Sequence, residues 1–113
     1  MFVSLVRFRS RLGDDEVQEL FEERSDRYRS VPGLVEKLYL RFRDTGEVGA
    51  VYVWETEEDL ERFRESELAR TIAIAYQVEG VPSSEVAEVC LVVRPPRLFP
   101  GAAPDERAKK QRT

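Results

Sequence analysis

Gly46–Phe63, which reads GEVGAVYVWETEEDLERF, predicts a strand, a helix cap and a helix in immediate succession. The strand Val48–Glu55 is apolar on both of its alternating faces except for the glutamate at its end, so we expect both faces to be covered. Thr56 has the character of an N-cap, because three acidic residues follow it where the helix dipole favours negative charge. Leu60 and Phe63, three residues apart, supply the buried stripe of the helix that follows.

The order of the other predicted elements indicates the fold. Apolar periodicity and turn residues predict a strand Phe2–Arg9, a helix capped by Asp14 or Asp15, a strand Leu34–Arg43, a hairpin turn Asp44–Glu47, a helix Glu67–Gln77, a loop Gly80–Ser84 and a strand Glu85–Val93. The order β-α-β-β-α-(α)-β is typical of the α+β class and of the ferredoxin-like split β-α-β fold, a four-stranded antiparallel sheet with helices on one face. We predict one such domain over residues 1–93 and a Pro-rich, basic C-terminal tail over 94–113, with Leu98 and Phe99 as candidates for docking.

Length and composition limit the class of protein. The chain has 113 residues, of which 42% are hydrophobic and 35% charged, and this fits one globular domain with a single core. No apolar run approaches the roughly 20 residues that span a bilayer. The first residues lead directly into strand-like sequence without the pattern of a secretory signal. We therefore expect a cytoplasmic protein without a membrane partner.

Missing residue types exclude several kinds of site. The chain has no histidine and no asparagine, and Cys90 is its only cysteine. An intrachain disulfide, a thiolate metal cluster, a His-ligated zinc or haem and any imidazole base are therefore excluded. We expect no metal and no cofactor, and we expect Cys90 to be a small buried hydrophobe in the last strand.

Charge is unevenly distributed along the chain. The net charge is −4, yet residues 94–113 hold six basic side chains against two acidic ones, so the body of the chain is acidic. An acidic body argues against nucleic acid as a partner.

The predicted sheet indicates a protein partner. A ferredoxin-like sheet leaves one face without helices, and these strands carry too little charge for a solvated face. We therefore predict a homodimer whose copies meet through the sheet face. The sequence leaves open which face of the sheet meets the helices.

Several short motifs resemble one known superfamily. They are Pro32-Gly33-Leu34 with Lys37 and Tyr39, Gly46 and Gly49 with Tyr52-Val53-Trp54-Glu55-Thr56, and Ala75-Tyr76 with Pro82, Val86 and Glu88-Val89. Over residues 1–93 the chain resembles the dimeric α+β barrel superfamily of antibiotic-biosynthesis monooxygenases, and within it the YdhR-type proteins. The resemblance implies a cofactor-independent monooxygenase, in which a small phenol, quinol or anthrone is deprotonated and reacts with oxygen in a dry cavity. The haem-dependent relatives rely on a histidine that this chain lacks.

Two other functions remain open, because a fold does not fix a function. One is a non-catalytic small-molecule-binding or stress-response protein that uses the same pocket. The other is a cyclase or isomerase that acts on a polyketide-like ring. An enclosed cavity with a polar group aimed at its centre would favour an enzyme, and a pocket filled by the protein's own side chains would favour the non-catalytic protein.

Aromatic side chains are the candidates for binding a small aromatic molecule. Pockets in such domains are expected between the sheet and its helices, lined by aromatic groups. The candidates are Tyr52, Trp54, Tyr39, Phe63 and Tyr76. Trp54 offers a ring for stacking and Tyr39 a hydroxyl for a substrate oxygen, although each also fits ordinary core packing.

Three side chains are candidates for a catalytic role. Arg24 falls on the buried stripe of the first helix, where its guanidinium would hold a phenolate or carboxylate unless it snorkels to water. Glu36 is the best-placed carboxylate within a strand to act as a base, and an ion pair with Arg7 is the alternative. Tyr39 is the third candidate, because its hydroxyl is expected on a strand beside Tyr52.

Overall fold

The computed structural model describes residues 1–96 of the chain. Its elements are β1 Phe2–Ser10, α1 Asp14–Tyr28, β2 Leu34–Arg41, β3 Val48–Trp54, α2 Glu57–Arg64, α3 Glu67–Arg70, α4 Ile72–Ala75 and β4 Val78–Glu88. The strands form one sheet in the order β2-β3-β1-β4, in which each neighbouring pair is antiparallel. The predicted α+β, ferredoxin-like split arrangement is therefore confirmed.

One face of the sheet packs against the helices and the other does not. Two clusters of buried residues fill the layer between the sheet and the helices: Tyr28, Ala50, Tyr52, Trp54, Leu60 and Phe63 in one, and Phe8, Val17, Phe21, Val48 and Tyr76 in the other. The opposite face, called the open face here, carries the half-buried Val3, Leu5, Val51 and Val53 together with Leu38, which is 48% exposed. The helix-facing layer is thus the interior of the domain, and the open face is apolar but only partly covered.

Local signals set the start of both longer helices. The Thr56 hydroxyl accepts a hydrogen bond from the backbone N–H three residues later at 3.1 Å, so the predicted cap of α2 is confirmed. The cap of α1 is Gly13, whose N–H donates to the Glu16 carboxylate at 3.0 Å. The prediction that Asp14 or Asp15 caps α1 was wrong, because both acids lie within the first turn.

A register shift in β2 brings two residues of unlike chemistry to the same face. Leu34 pairs with Trp54 and Lys37 pairs with Tyr52, so two residues of β2 lie opposite one residue of β3. Leu34 packs against the Trp54 ring cluster, and the Lys37 amine lies over the Tyr52 ring. Strict alternation predicted opposite faces for Leu34 and Lys37, and the bulge made that prediction wrong.

The last strand departs most from the prediction. β4 covers Val78–Glu88, so the predicted loop Gly80–Ser84 lies within a strand, and the residues after Glu88 have no regular structure up to residue 96. The reason is long-range, because β4 pairs with β1 along most of its length. Pro82 is tolerated there because β4 is an edge strand. Cys90 lies beyond the strand and is exposed, so the expectation of a buried cysteine was wrong.

Two smaller boundaries also differ. The predicted helix Glu67–Gln77 consists of two short helices divided at Thr71. β2 ends at Arg41, because Phe42 already belongs to the turn, where its N–H donates to the Glu47 carbonyl at 2.8 Å. None of the helices described is long and apolar enough to cross a membrane. The docking prediction for Leu98 and Phe99 lies outside the described residues.

Candidate functional site

A small cavity lies between the sheet and the helices. Its volume is about 20 Å³, which is room for roughly one water molecule. Its aromatic and polar lining consists of Phe8, Phe21, Tyr28, Lys37, Tyr39, Tyr52 and Tyr76, and no carboxylate takes part in it. This space, called the inner cavity here, combines aromatic rings with one amine.

A wider groove opens beside the inner cavity, where α1 faces β2. Its volume is about 430 Å³, and Tyr28, Lys37 and Tyr39 line both spaces. Arg29 and Glu36 belong to its outer lining. A space of a few hundred Å³ matches the usual size of a small-molecule site, whereas the inner cavity alone does not. This second space is called the outer groove.

The Lys37 amine lies where the two spaces meet, surrounded by aromatic rings. Its Nζ is 3.2 Å from the ring centroid of Tyr28, 4.3 Å from that of Tyr39 and 4.7 Å from that of Tyr52. Burial, and secondarily the positive charge of Arg24, lower the pKa of Lys37 to about 6. The ring faces act in the opposite direction, since they attract the ammonium form. Among residues 1–96, Lys37 takes part in no ion pair.

Arg24 is a buried cation without a carboxylate partner within the described residues. Its side chain extends from α1, and the residue is only 4% exposed. One terminal nitrogen donates to the Leu68 carbonyl at 3.1 Å and to the Thr71 hydroxyl at 3.2 Å, and Nε has no partner. The guanidinium carbon lies 5.8 Å from the centroid of the Tyr76 ring, which lines the inner cavity. Its head group therefore does not snorkel to water, and its positive charge acts on the interior.

Three tyrosine hydroxyls of the inner cavity, those of Tyr39, Tyr52 and Tyr76, remain protonated at neutral pH. Burial raises the pKa of Tyr39 and of Tyr52 well above the ordinary value, and it raises the pKa of Tyr76 to about 12. The Tyr39 hydroxyl is buried and has no hydrogen-bond partner among the described residues. These groups are suited to donate hydrogen bonds, and none is suited to take a proton.

The structure brings three of the five predicted binding residues to the inner cavity, namely Tyr39, Tyr52 and Tyr76. Trp54 does not line it: its side chain is fully buried, and its indole N–H donates to the Ser4 hydroxyl at 3.1 Å. Phe63 packs against the Trp54 ring at 5.3 Å between centroids. Trp54 and Phe63 therefore occupy the packed core beside the inner cavity.

The predicted carboxylate lies outside the inner cavity. Glu36 is exposed at the outer groove, and β3 places Val53 opposite it on the open face. The alternative pairing of Glu36 with Arg7 does not form, because Arg7 binds the Glu47 carboxylate at 2.7 Å.

Lys37 is the functional candidate that sequence reasoning missed. In the sequence it is one residue of the motif Pro32-Gly33-Leu34 with Lys37 and Tyr39, and nothing in that motif marks it as a site residue. A signal was present, however: Lys37 is the only lysine among residues 1–96, which hold twelve arginines. Lysine differs from arginine in that its amine becomes neutral when it is buried.

The described residues offer no metal centre by the usual donor set. No group of three His, Cys, Asp or Glu side chains lies close enough together within residues 1–96 to hold an ion.

Solved structures match this chain, whereas no protein-family model and no curated protein does. SnoaB, a cofactor-independent oxygenase from Streptomyces nogalater, is 17% identical with a TM-score of 0.65, over 81% of this chain and 95% of that one. A monooxygenase from the gene ActVA-Orf6 of Streptomyces coelicolor, in complex with nanaomycin D, is 21% identical with a TM-score of 0.65, over 84% and 92%. A protein of unknown function from Nitrosomonas europaea is 15% identical with a TM-score of 0.68, over 85% and 95%.

At these identities the likeness establishes the fold and leaves the activity open. It agrees with the fold that the motif resemblance implies, and the narrower YdhR-type resemblance stays a prediction. The chain therefore has the fold of the antibiotic-biosynthesis-monooxygenase-like proteins.

Proposed function

We propose that the protein is a cofactor-independent monooxygenase that acts on a small aromatic or quinol-like compound. The observation that carries the proposal is that the positive charge of Arg24 and the Lys37 amine lie beside aromatic rings, with no carboxylate among the described residues that line the inner cavity. Such a site favours the anion of an acidic phenol or enol. The structural likeness to SnoaB, a cofactor-independent oxygenase, supports the same function.

An electron-rich anion is what allows oxygen to react without a cofactor. For an anthrone, one CH₂ carbon and one O₂ molecule give a carbonyl group and one water molecule. Both C–H bonds break, one oxygen atom bonds to the carbon, and the other leaves as water. The site stabilises the anion through the charge of Arg24 and the unpaired hydroxyl of Tyr39, both fixed before the substrate arrives.

The two spaces suggest how a ring-sized substrate is held. The inner cavity, at about 20 Å³, is too small for an aromatic ring, whereas the outer groove has about 430 Å³. The substrate ring therefore lies in the outer groove. Its acidic oxygen points inward to Lys37 and Tyr39, which line both spaces.

We also propose that two copies pair through the open face. The support is the apolar character of that face, including Leu38 at 48% exposed, and a large exposed apolar patch favours association. Pairing would cover the second face of β3, as its two-sided apolar pattern requires.

Oxygen uptake by the purified protein, without added cofactor, tests the proposed function on a panel of quinols, anthrones and catechols. We expect a rate above the spontaneous one for at least one compound. Arg24→Gln removes the buried positive charge near the Tyr76 ring and should lower that rate about tenfold, the equivalent of about 1.4 kcal/mol of anion stabilisation. Arg27→Gln, an exposed change on the same helix, is the matched control and should leave the rate unchanged. No protein-dependent uptake across the panel would contradict the proposal.

A non-catalytic binding protein is the second candidate, and one observation favours it. The protein's own rings fill most of the interior, since Phe21 stacks on Tyr39 at 4.4 Å between centroids and leaves a cavity of about 20 Å³. Saturable binding of a panel compound without oxygen uptake would support this candidate. The small inner cavity counts equally against a cyclase or isomerase, which would also have to hold its ring in the outer groove.

A further inference from the structure

We infer that the Lys37 amine is the general base of this site, and that the site selects substrates that carry an acidic phenol or enol O–H. The inference deepens the proposed function and rests on it for the later step with oxygen. The proton transfer itself needs no oxygen and can be tested alone.

The position of the amine is the first support. Lys37 lies at the junction of the inner cavity and the outer groove, so a group that enters from the groove reaches its Nζ. Strand alternation produces this position, because Lys37 lies two residues before Tyr39 in β2 and pairs with Tyr52 on the helix-facing side. A base must reach the proton that it removes, and Lys37 meets this condition where the exposed Glu36 does not.

The charges around the amine are the second support. The groups that face it are Arg24 and Tyr28 from α1, Tyr39 from β2 and Tyr52 from β3. Beyond them, the outer groove adds Glu36 from β2 and Arg29, which already binds Asp26 at 2.9 Å. The only neighbouring cation that is itself buried is Arg24, and it disfavours a second positive charge on Lys37.

The third support is that each product of the proton transfer has a favourable neighbour in the site. The phenol O–H bond breaks, its proton forms a new N–H bond on the Lys37 lone pair, and the electron pair stays on the phenolate oxygen. The resulting ammonium lies against three ring faces, the closest at 3.2 Å, and rings favour that form. The phenolate then supplies the negative charge that Lys37 and Arg24 lack among the described residues.

The choice of residue agrees with this role. Lys37 is the only lysine in a stretch of 96 residues that otherwise uses twelve arginines for its basic positions. A buried lysine amine can act as a base near neutral pH, and a guanidinium cannot. At a purely structural cationic position arginine would serve equally well.

The experiment uses 4-nitrophenol as the probe, because its phenolate is yellow and its neutral form is nearly colourless. The full-length protein is titrated at about pH 6.5, where Lys37 is mostly neutral and the free dye is still mostly protonated. Absorbance reports whether the bound dye is a phenolate, and calorimetry in buffers of different ionisation enthalpy counts the protons released. We expect bound phenolate with close to zero protons released, because Lys37 retains the proton.

Lys37→Arg is the decisive variant, since it keeps a positive charge and cannot accept a proton. It should bind the phenolate with about one proton released per dye. Lys37→Met should bind only the neutral dye. Glu58→Gln, an exposed change on α2 at a residue that lines neither space, is the matched control and should behave as the wild type. Circular dichroism checks that each variant is folded.

Three results would overturn the inference: a proton released by the wild type, neutral bound dye in the wild type, or no binding up to the solubility limit of the dye. Phenolate formation without oxygen uptake on any compound would keep Lys37 as the base and reject the monooxygenase. Oxygen uptake with a proton released to the buffer would support the monooxygenase and reject Lys37 as the base.

Discussion

The two ends of the helix-facing layer contain similar aromatic residues, but they differ in whether their buried polar atoms are hydrogen-bonded. At one end Trp54 is fully buried and its N–H is satisfied by Ser4, with the Tyr52 ring stacked against it at 5.8 Å between centroids. At the other end the Tyr39 hydroxyl and Arg24 Nε are buried without partners. Buried polar groups are normally hydrogen-bonded, so the exceptions are informative. The first end is built for packing, and we assign the second to ligand binding.

The largest expected effect on stability is at the packed end. Trp54→Ala should lower the free energy of unfolding by about 3–5 kcal/mol, the usual loss for a large buried aromatic residue. Urea unfolding measures the change. A loss below about 1 kcal/mol would mean that the packed end is not the core that its burial indicates.

At the other end, replacement of Lys37 should raise the free energy of unfolding instead of lowering it. The pKa of Lys37 is lowered from 10.5 to about 6, so between these values the unfolded chain binds a proton that the folded chain does not. The buried amine therefore costs no stability above about pH 10.5, and its cost to the folded state grows as the pH falls toward 6. Lys37→Met should raise the free energy of unfolding at neutral pH by about 2 kcal/mol.

Urea unfolding at several pH values checks this prediction. The wild type should gain stability between pH 6.5 and 9 at up to about 1.4 kcal/mol per pH unit, and Lys37→Met should lack that part of the slope. Equal slopes for both proteins would show that Lys37 has an ordinary pKa.

The hydrogen bond at the packed end should have a smaller effect. Ser4→Ala leaves the Trp54 indole N–H without its acceptor, which should cost about 1–2 kcal/mol of unfolding free energy. Ser30→Ala, an exposed serine, is the matched control and should change stability by less than about 0.5 kcal/mol. Similar effects of the two changes would contradict a structural role for the Ser4 hydroxyl.

The corresponding change at the ligand-binding end should have the smallest effect on stability. Tyr39→Phe removes a hydroxyl that has no partner, so the free energy of unfolding should stay within about 1 kcal/mol or rise. The same change should weaken 4-nitrophenol binding about tenfold, since it removes a donor to the phenolate. A clear loss of stability with unchanged binding would show that the hydroxyl serves the fold.

The two ends also differed in how far the sequence predicted them. The strand, cap and helix from Val48 to Phe63 were predicted because their signals are local: alternation, the Thr56 cap and an apolar stripe. An aromatic pocket between the sheet and the helices was expected from the fold, and Tyr39, Tyr52 and Tyr76 lie beside such a cavity.

What the sequence did not predict depends on contacts between distant residues. The bulge that brings Leu34 to the same face as Lys37 arises from pairing with β3, and no local signal marks it. The strand character of Gly80–Ser84 arises from pairing with β1, which overrides a turn-like composition. The hydrogen bonds of Arg24 reach residues 44 and 47 positions away, so its burial was indicated and its partners were not.

The most direct test of the ligand-binding end is the titration of Lys37 by NMR in protein labelled at lysine Cε. Lys109 and Lys110 are the only other lysines, so three signals are expected, and Lys37→Met identifies the one of interest. We expect an apparent pKa of about 6 for Lys37. A value near the ordinary 10.5 would contradict it, because Lys37 would then be a permanent cation and could not act as the base.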